Sequence, residues 1–176
     1  MSIILFSLFA CGDDAKTNDS AGSDDSAAQE EVLPPTEPDA FTLSVTGDHT
    51  LSLVFDTPTC QIPDAAPNFN AFWRTSSGAH TFVLRVMIRG EYDGAGTYTL
   101  TENALTVTLQ EEAGGEGRYF SVNVDEGHDA SVELNTEADN IVWGSLTASQ
   151  LSSINDGNIT ISPTEIPLWC DSNNTN

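Results

Sequence analysis

The chain has 176 residues, of which 39% are hydrophobic, and a formal net charge of −22 from 27 acidic and five basic residues. This length fits one folded domain with some chain to spare. Residues 40–176 carry 18 of the acidic residues and four of the basic ones, so the folded part is itself strongly negative. Such a field repels phosphate backbones and anionic lipid head groups, which argues against nucleic acid as a partner.

The amino terminus is an apolar run, Ile3–Ala10, that ends in a small residue just before Cys11. It is too short to span a bilayer, which needs about 20 apolar residues. Because signal peptides end in this way, residues 1–10 are predicted to be one. The segment Leu8-Phe9-Ala10-Cys11 resembles the lipobox of bacterial lipoproteins. The resemblance implies that Cys11 is lipidated and becomes the first residue of an exported protein; the alternative is a buried N-terminal strand with an ordinary cysteine.

Residues 11–39 are predicted to be a tether. Gly12–Gln29 has no aromatic and no β-branched apolar residue, so it cannot repay the entropy of ordering and is expected to be disordered. Glu30–Pro38 is rich in proline, which favours an extended polyproline conformation. The lipoprotein resemblance further implies an outer-membrane or cell-surface location, because glycine follows the cysteine at Gly12.

Between residues 40 and 171 apolar residues recur at every second position, as at Leu105, Val107 and Leu109. Phe82–Ile88 follows the same period on one face, and Val83 and Met87 make its other face apolar enough for a central strand. Turn clusters such as Asn155–Gly157 separate the alternating segments. The pattern predicts an all-β fold, an antiparallel two-sheet β-sandwich of roughly nine or ten strands; the alternative is a closed, lipocalin-like β-barrel. Gln150–Ile154 is compatible with one helical turn, and residues 172–176 are expected to be a disordered C-terminus.

If Cys11 is lipidated, two cysteines remain that can pair with each other, Cys60 and Cys170. Export would place them in an oxidising compartment. A disulfide between them is predicted. In the chain-entropy model it contributes about 4.7 kcal/mol. The alternatives are two free thiols or a metal pair, although two cysteines alone cannot complete a tetrahedral zinc site. Trp169, next to Cys170, is expected to pack on this disulfide.

No catalytic motif and no cofactor-binding motif stands out in the sequence, so no cofactor and no enzyme activity are expected. The three histidines lie at strand starts or in turns and are expected to be surface residues: His49, His80 and His128. The acidic turns offer weak calcium candidates, since hard oxygen ligands suit Ca²⁺. These candidates are Asp125, Asp129 and Asp156, whose spacing does not match an EF-hand and is equally explained by ordinary turn chemistry.

Aromatic residues are the best candidates for contacting a ligand. Trp73, Trp143 and Tyr92 are candidates for a platform that stacks on sugar rings, and burial in the core is the alternative for each. Tryptophan in a β-sandwich is more often a core residue, so the platform is the less favoured interpretation for each.

Three functions are therefore ranked. The first is a non-catalytic, lipid-anchored protein of the cell envelope that binds another envelope or extracellular protein, or has a structural role. The second is a carbohydrate-binding module, for which a glycan is the partner. The third is a small-ligand carrier or hydrolytic domain, which needs a deep pocket.

Overall fold

The computed structural model describes residues 36–61, 68–90, 92–100, 105–112, 117–136 and 141–171. Cys11, the predicted signal peptide, most of the predicted tether and residues 172–176 lie outside these ranges. The described strands are β1 (Phe41–Gly47), β2 (Leu51–Phe55), β3 (Thr59–Gln61), β4 (Phe69–Ser77), β5 (His80–Ile88), β6 (Gly96–Thr99), β7 (Leu105–Glu112), β8 (Tyr119–Ser121), β9 (Ala130–Thr136), β10 (Ile141–Ala148), β11 (Gln150–Ser153), β12 (Gly157–Ser162) and β13 (Glu165–Asp171). A short 3-10 helix, Val124–Glu126, links β8 to β9. The all-β prediction is confirmed.

The strands form two antiparallel sheets, as predicted for a sandwich. The large sheet has nine strands in the order β2-β1-β12-β11-β8-β7-β5-β4-β3, and the small sheet has four in the order β13-β10-β9-β6. Strand β2, at one edge of the large sheet, approaches β4 near the other edge, so this sheet curls. Both strand orders are open at their edges, unlike those of a closed barrel.

The predicted number of strands is too low, because the described residues hold thirteen. The sequence pattern missed β3, β4, β11 and β13. Strand β13 contains Pro167, which is tolerated here because β13 is an edge strand of the small sheet. The helical turn expected at Gln150–Ile154 is wrong: Gln150–Ser153 is strand β11, which pairs with β12 and β8.

The core lies between the two sheets. Alternate residues of each strand face it, as successive side chains of a strand must point to opposite faces. The buried apolar side chains form one cluster that includes residues of both sheets. Trp73, Phe55 and Phe69 are the largest of the fully buried side chains. They occupy the interior, where a lipocalin-like barrel would hold its ligand.

The disulfide between Cys60 and Cys170 is confirmed. Its Cα atoms are 5.6 Å apart, and it joins β3, an edge strand of the large sheet, to β13, an edge strand of the small sheet. Cys170 faces the core, so its neighbour Trp169 faces the opposite side of β13. The expected packing of Trp169 on the disulfide is therefore corrected: Trp169 lies opposite Trp143 of β10 on the outer face.

Gly144 is required by the pairing of β10 with β9 and β13. A Cβ atom at this position would lie 1.8 Å from the backbone oxygen of Glu133, which the strand ladder holds in place. We expect Gly144→Ala to lower the free energy of unfolding by about 3 kcal/mol or more, because the ladder must separate to admit the methyl group. Urea unfolding monitored by fluorescence measures the loss.

Gly96 is a matched control, because its φ of 158° is nearly the same as the 157° of Gly144. A Cβ atom at Gly96 would meet no atom nearer than a ring carbon of Tyr98 at 4.0 Å. Gly96→Ala should therefore cost clearly less than Gly144→Ala. Equal losses would show that backbone conformation and not the close approach of β9 determines the effect.

Candidate functional site

Four connections lie at one end of the large sheet, which we call the hairpin end. They join β1 to β2, β4 to β5, β7 to β8 and β11 to β12, and residues 113–116 of the third lie outside the described residues. These strands are neighbours or near neighbours in an antiparallel sheet, so their hairpin turns lie at the same end. Side chains far apart in the sequence therefore meet there.

Glu111 is the centre of a charged cluster at the hairpin end. It is 6% exposed and follows the core residue Leu109 on the inward face of β7. Its carboxylate pairs with the guanidinium of Arg118, and its second oxygen lies 2.6 Å from Nδ1 of His80, which is half exposed. The cluster therefore lies at this end of the core, and Arg118 balances the negative charge of the Glu111 carboxylate.

His49 extends the cluster to the β1–β2 turn. Its Nδ1 lies 2.5 Å from a guanidinium nitrogen of Arg118, and its Nε2 lies 3.0 Å from the backbone oxygen of Asp156. Arginine only donates hydrogen bonds, so Nδ1 of His49 must accept and Nε2 must donate. The two contacts are therefore hydrogen bonds through both ring nitrogens. They tie three turns of the hairpin end together.

The prediction that the three histidines are surface residues is wrong for His128, whose side chain is only 6% exposed and accepts a hydrogen bond from the backbone amide of Asn123. It holds for the half-exposed His80, while His49 is partly buried. His49 and His80 meet across the Glu111–Arg118 pair. A signal for this cluster was present in the sequence. Glu111 occupies the apolar face of its strand, two residues after Leu109. A carboxylate on a core-facing position needs a buried partner.

The hydrogen bond from Arg118 holds the pKa of Glu111 below its ordinary value of 4.5, against the opposing effect of burial. A lowered pKa in the folded state means that the ionised carboxylate stabilises the fold above pH 4.5, and that this stability is lost as the pH falls through the lowered pKa. We expect Glu111→Gln to reduce the free energy of unfolding by about 2 kcal/mol at neutral pH. The difference from the unmodified protein should shrink below pH 4.5.

Glu112 is a neighbouring control, since it faces outward and pairs with Arg74 at 2.6 Å in solvent. Glu112→Gln should cost less than about 1 kcal/mol, as exposed ion pairs usually do. Urea unfolding of both variants at several pH values makes the comparison. A loss in Glu111→Gln that does not change with pH would contradict the assigned role of its carboxylate.

A concave site lies next to this cluster, on the outer face of β8 and β11, and we call it the seam groove. The two strands are joined there through a single residue pair, Ser121 with Ser152. The groove has a volume of about 340 Å³. Residues that line it include Tyr119, Ser121, Asn123, Ser152, Ile154 and Asp156. Its volume falls in the range of pockets that bind small groups.

The walls of the seam groove are fixed by local hydrogen bonds. In the β11–β12 turn, Ser153 Oγ donates to the carboxylate of Asp156 at 3.0 Å. On the other side, Asn123 caps the 3-10 helix by accepting from the amide of Asp125, and its Nδ2 donates to Glu126 at 3.1 Å. The groove is therefore built on ordered turns.

The three aromatic candidates for a platform lie in different environments, and for Trp73 the favoured alternative, burial in the core, is confirmed. Trp73 is 1% exposed and faces the core, so it cannot stack on a soluble ligand. Tyr92 is partly buried and packs on the core, with its ring 5.4 Å from that of Phe69; burial also raises the pKa of its hydroxyl. Only Trp143 faces outward, and its partner is Trp169.

The calcium candidates lie on different segments. Asp125 is in the 3-10 helix, Asp129 precedes β9, and Asp156 is in the β11–β12 turn. In the part of the chain that the structure describes, no group of three or more His, Cys, Asp or Glu side chains is placed to hold a metal ion.

No helix among the described residues has the length and apolar character needed to cross a membrane. Comparisons with family models, with curated proteins and with solved structures find no match to this chain.

Proposed function

We propose that this chain is an exported, lipid-anchored, non-catalytic protein of the cell envelope that binds another envelope or extracellular protein. The lipobox-like segment ending at Cys11 and the acidic tether after it support the anchor. The Cys60–Cys170 disulfide supports export, because such bonds persist in oxidising compartments. An outer-membrane or cell-surface position is part of the proposal.

The observation that carries the binding role is the exposure of two apolar side chains that line the seam groove, Tyr119 at 49% and Ile154 at 104%. Val124, which lies in the chain between the lining residues Asn123 and Glu126, is 51% exposed. Among the described residues, the one other large hydrophobic side chain exposed to this degree is Val54. Exposed apolar groups gathered in one place commonly mark an interaction surface, and aromatic and apolar anchors dominate binding energies.

The hairpin end holds these anchors in a fixed arrangement. The turn that carries Ile154 is tied to His49 through the backbone oxygen of Asp156. Asp48 also accepts from the backbone amide of Asn158 at 2.8 Å, which joins the β1–β2 turn to the start of β12. A surface that is already ordered loses less conformational entropy on binding.

Photo-crosslinking in intact cells tests the binding role. A photoreactive residue at Ile154 of the full chain should form a discrete adduct with a protein, and the same residue at the exposed Thr147 of the small sheet should not. Adding Tyr119→Ala to the Ile154 variant should reduce the adduct. Identical adducts from both positions, or none at Ile154, would contradict the proposal.

A second candidate, a carbohydrate-binding module, is favoured by one observation. Trp143 and Trp169 lie directly opposite each other on β10 and β13, on the outer face of the small sheet, and both are partly exposed. Neighbouring rings on a sheet face can stack on consecutive sugars. A glycan array of the unmodified protein and of Trp143→Ala tests this function. If neither protein gives a signal, the carbohydrate-binding function is contradicted.

A further inference from the structure

We infer that the seam groove receives a lysine or arginine side chain from an extended segment of the protein partner. This inference rests on the proposed binding function and specifies the chemistry of the partner. Its supporting observations are the charge of the groove, the serine oxygens at its floor and the aromatic ring at its wall.

The charge around the groove favours a cation. Its lining includes the carboxylates of Glu126 and Asp156, and none of the described residues that line it is basic. The four arginines of residues 40–176 make their contacts elsewhere: Arg74 with Glu112, Arg118 with Glu111, Arg85 over the ring of Phe72, and Arg89 with the sulfur of Met87. A net charge of −22 also attracts basic surfaces and repels acidic ones.

The floor of the groove offers oxygen acceptors. Ser152 is only 6% exposed, lines the groove, and makes no side-chain hydrogen bond to another described residue. Ser121 lies directly opposite Ser152 across the strand pair. An ammonium or guanidinium group carries several donors and no acceptor, so it can satisfy both serine oxygens together with the carboxylates.

The walls suit the apolar part of the same side chain. Tyr119 presents an aromatic ring, whose face attracts a cation. Ile154 supplies an exposed apolar contact for the methylene stem that carries the charged group. A cavity of about 340 Å³ admits one long side chain and not a folded element. A neutral sugar could also use the hydroxyl groups, but it would gain nothing from the carboxylates as charges.

The test uses the mature full chain and two synthetic peptides, acetyl-Leu-Ala-Arg-Ala-Leu-amide and the same peptide with citrulline in place of arginine. Citrulline keeps the shape of the side chain and removes its charge. Titration calorimetry should show the arginine peptide binding about tenfold more tightly than the citrulline peptide, as expected when a charge-assisted hydrogen bond is lost.

Two variants with the same change in net charge locate the binding. Glu126→Gln should weaken the arginine peptide about tenfold because its carboxylate lines the groove. Glu165→Gln, on the exposed start of β13, should change the affinity less than about twofold. Tyr119→Ala should weaken binding without affecting the fold, because its side chain is exposed on the outer face.

Equal affinity for the two peptides would overturn the inference. Equal losses in Glu126→Gln and Glu165→Gln would do so too, because they would show attraction by the overall field alone. Saturable binding of a neutral β-glucan hexasaccharide that Tyr119→Ala abolishes would assign the groove to sugars and also overturn it. A continuing adduct at Ile154 in cells would then show that only this inference fails, whereas loss of that adduct would mean that the proposed function fails.

Discussion

Replacing both Cys60 and Cys170 with alanine is expected to lower the free energy of unfolding by about 4 kcal/mol. The bond closes a loop with a sequence separation of 110 residues. In the chain-entropy model, a loop of this length restricts the unfolded chain by about 4.7 kcal/mol. Since folded domains are stable by only about 5–15 kcal/mol, much of the stability depends on this bond.

Urea unfolding of the oxidised protein and of the double alanine variant measures this effect. Reduction of the unmodified protein is the control, since it removes the bond without changing the number of core side chains. The reduced protein should unfold near the urea midpoint of the double variant. A double variant as stable as the oxidised protein would contradict the role assigned to the bond.

Trp73→Ala is expected to have an effect of similar size, about 3–5 kcal/mol, the usual cost of emptying a large aromatic site in a core. Trp73 is 1% exposed and packs edge to face with Phe41 at a ring-centroid distance of 6.3 Å. Its indole N–H has no acceptor among the described residues, so the loss comes from packing and not from a broken hydrogen bond.

Trp143→Ala is the matched control, because it removes the same side chain from the outer face of the small sheet. We expect it to cost clearly less than Trp73→Ala, since Trp143 is only partly buried. Urea unfolding of the two variants side by side makes the comparison. A larger loss at Trp143 would show that the assignment of inner and outer faces is wrong.

The long strands could be predicted from the sequence because their apolar side chains recur at every second position. Residues 105–109 alternate between apolar and polar, residues 82–88 are apolar on one face and largely apolar on the other, and both segments lie in central strands of the large sheet. Strand β11 could not be predicted in this way, since Leu151 is its one large apolar residue. It is a strand because β12 and β8 pair with it, and that information lies in other segments of the chain.

The inward position of Trp73 follows from its place in the sequence once β4 is known to be a strand. Trp73 is an even number of positions from Phe69 and Ala71, so it points to the same face of β4 as these two buried residues. Trp143 is an odd number of positions from Val142 and Leu146, which face the core, so it points to the other face of β10. The alternation that predicts a strand therefore also separates a core tryptophan from an outer one.

The candidate site could be predicted only in part. Glu111 stands out as an acid on an apolar face, but its partner Arg118 is joined to His49 across 69 residues of sequence. The seam groove depends on the neighbouring positions of β8 and β11, which the sequence pattern does not give. Strand order is set by the packing of the whole domain, so sites that lie between non-consecutive strands need the structure.

Intact mass spectrometry of the full chain, purified from the membranes of cells that export it, tests the proposed anchored and exported state most directly. We predict a polypeptide that begins at Cys11, carries a covalent lipid there, and has Cys60 and Cys170 oxidised, while Cys11→Ala carries no lipid. A protein that retains Met1 with an unmodified Cys11, or whose Cys60 and Cys170 react with an alkylating reagent before reduction, would contradict the account.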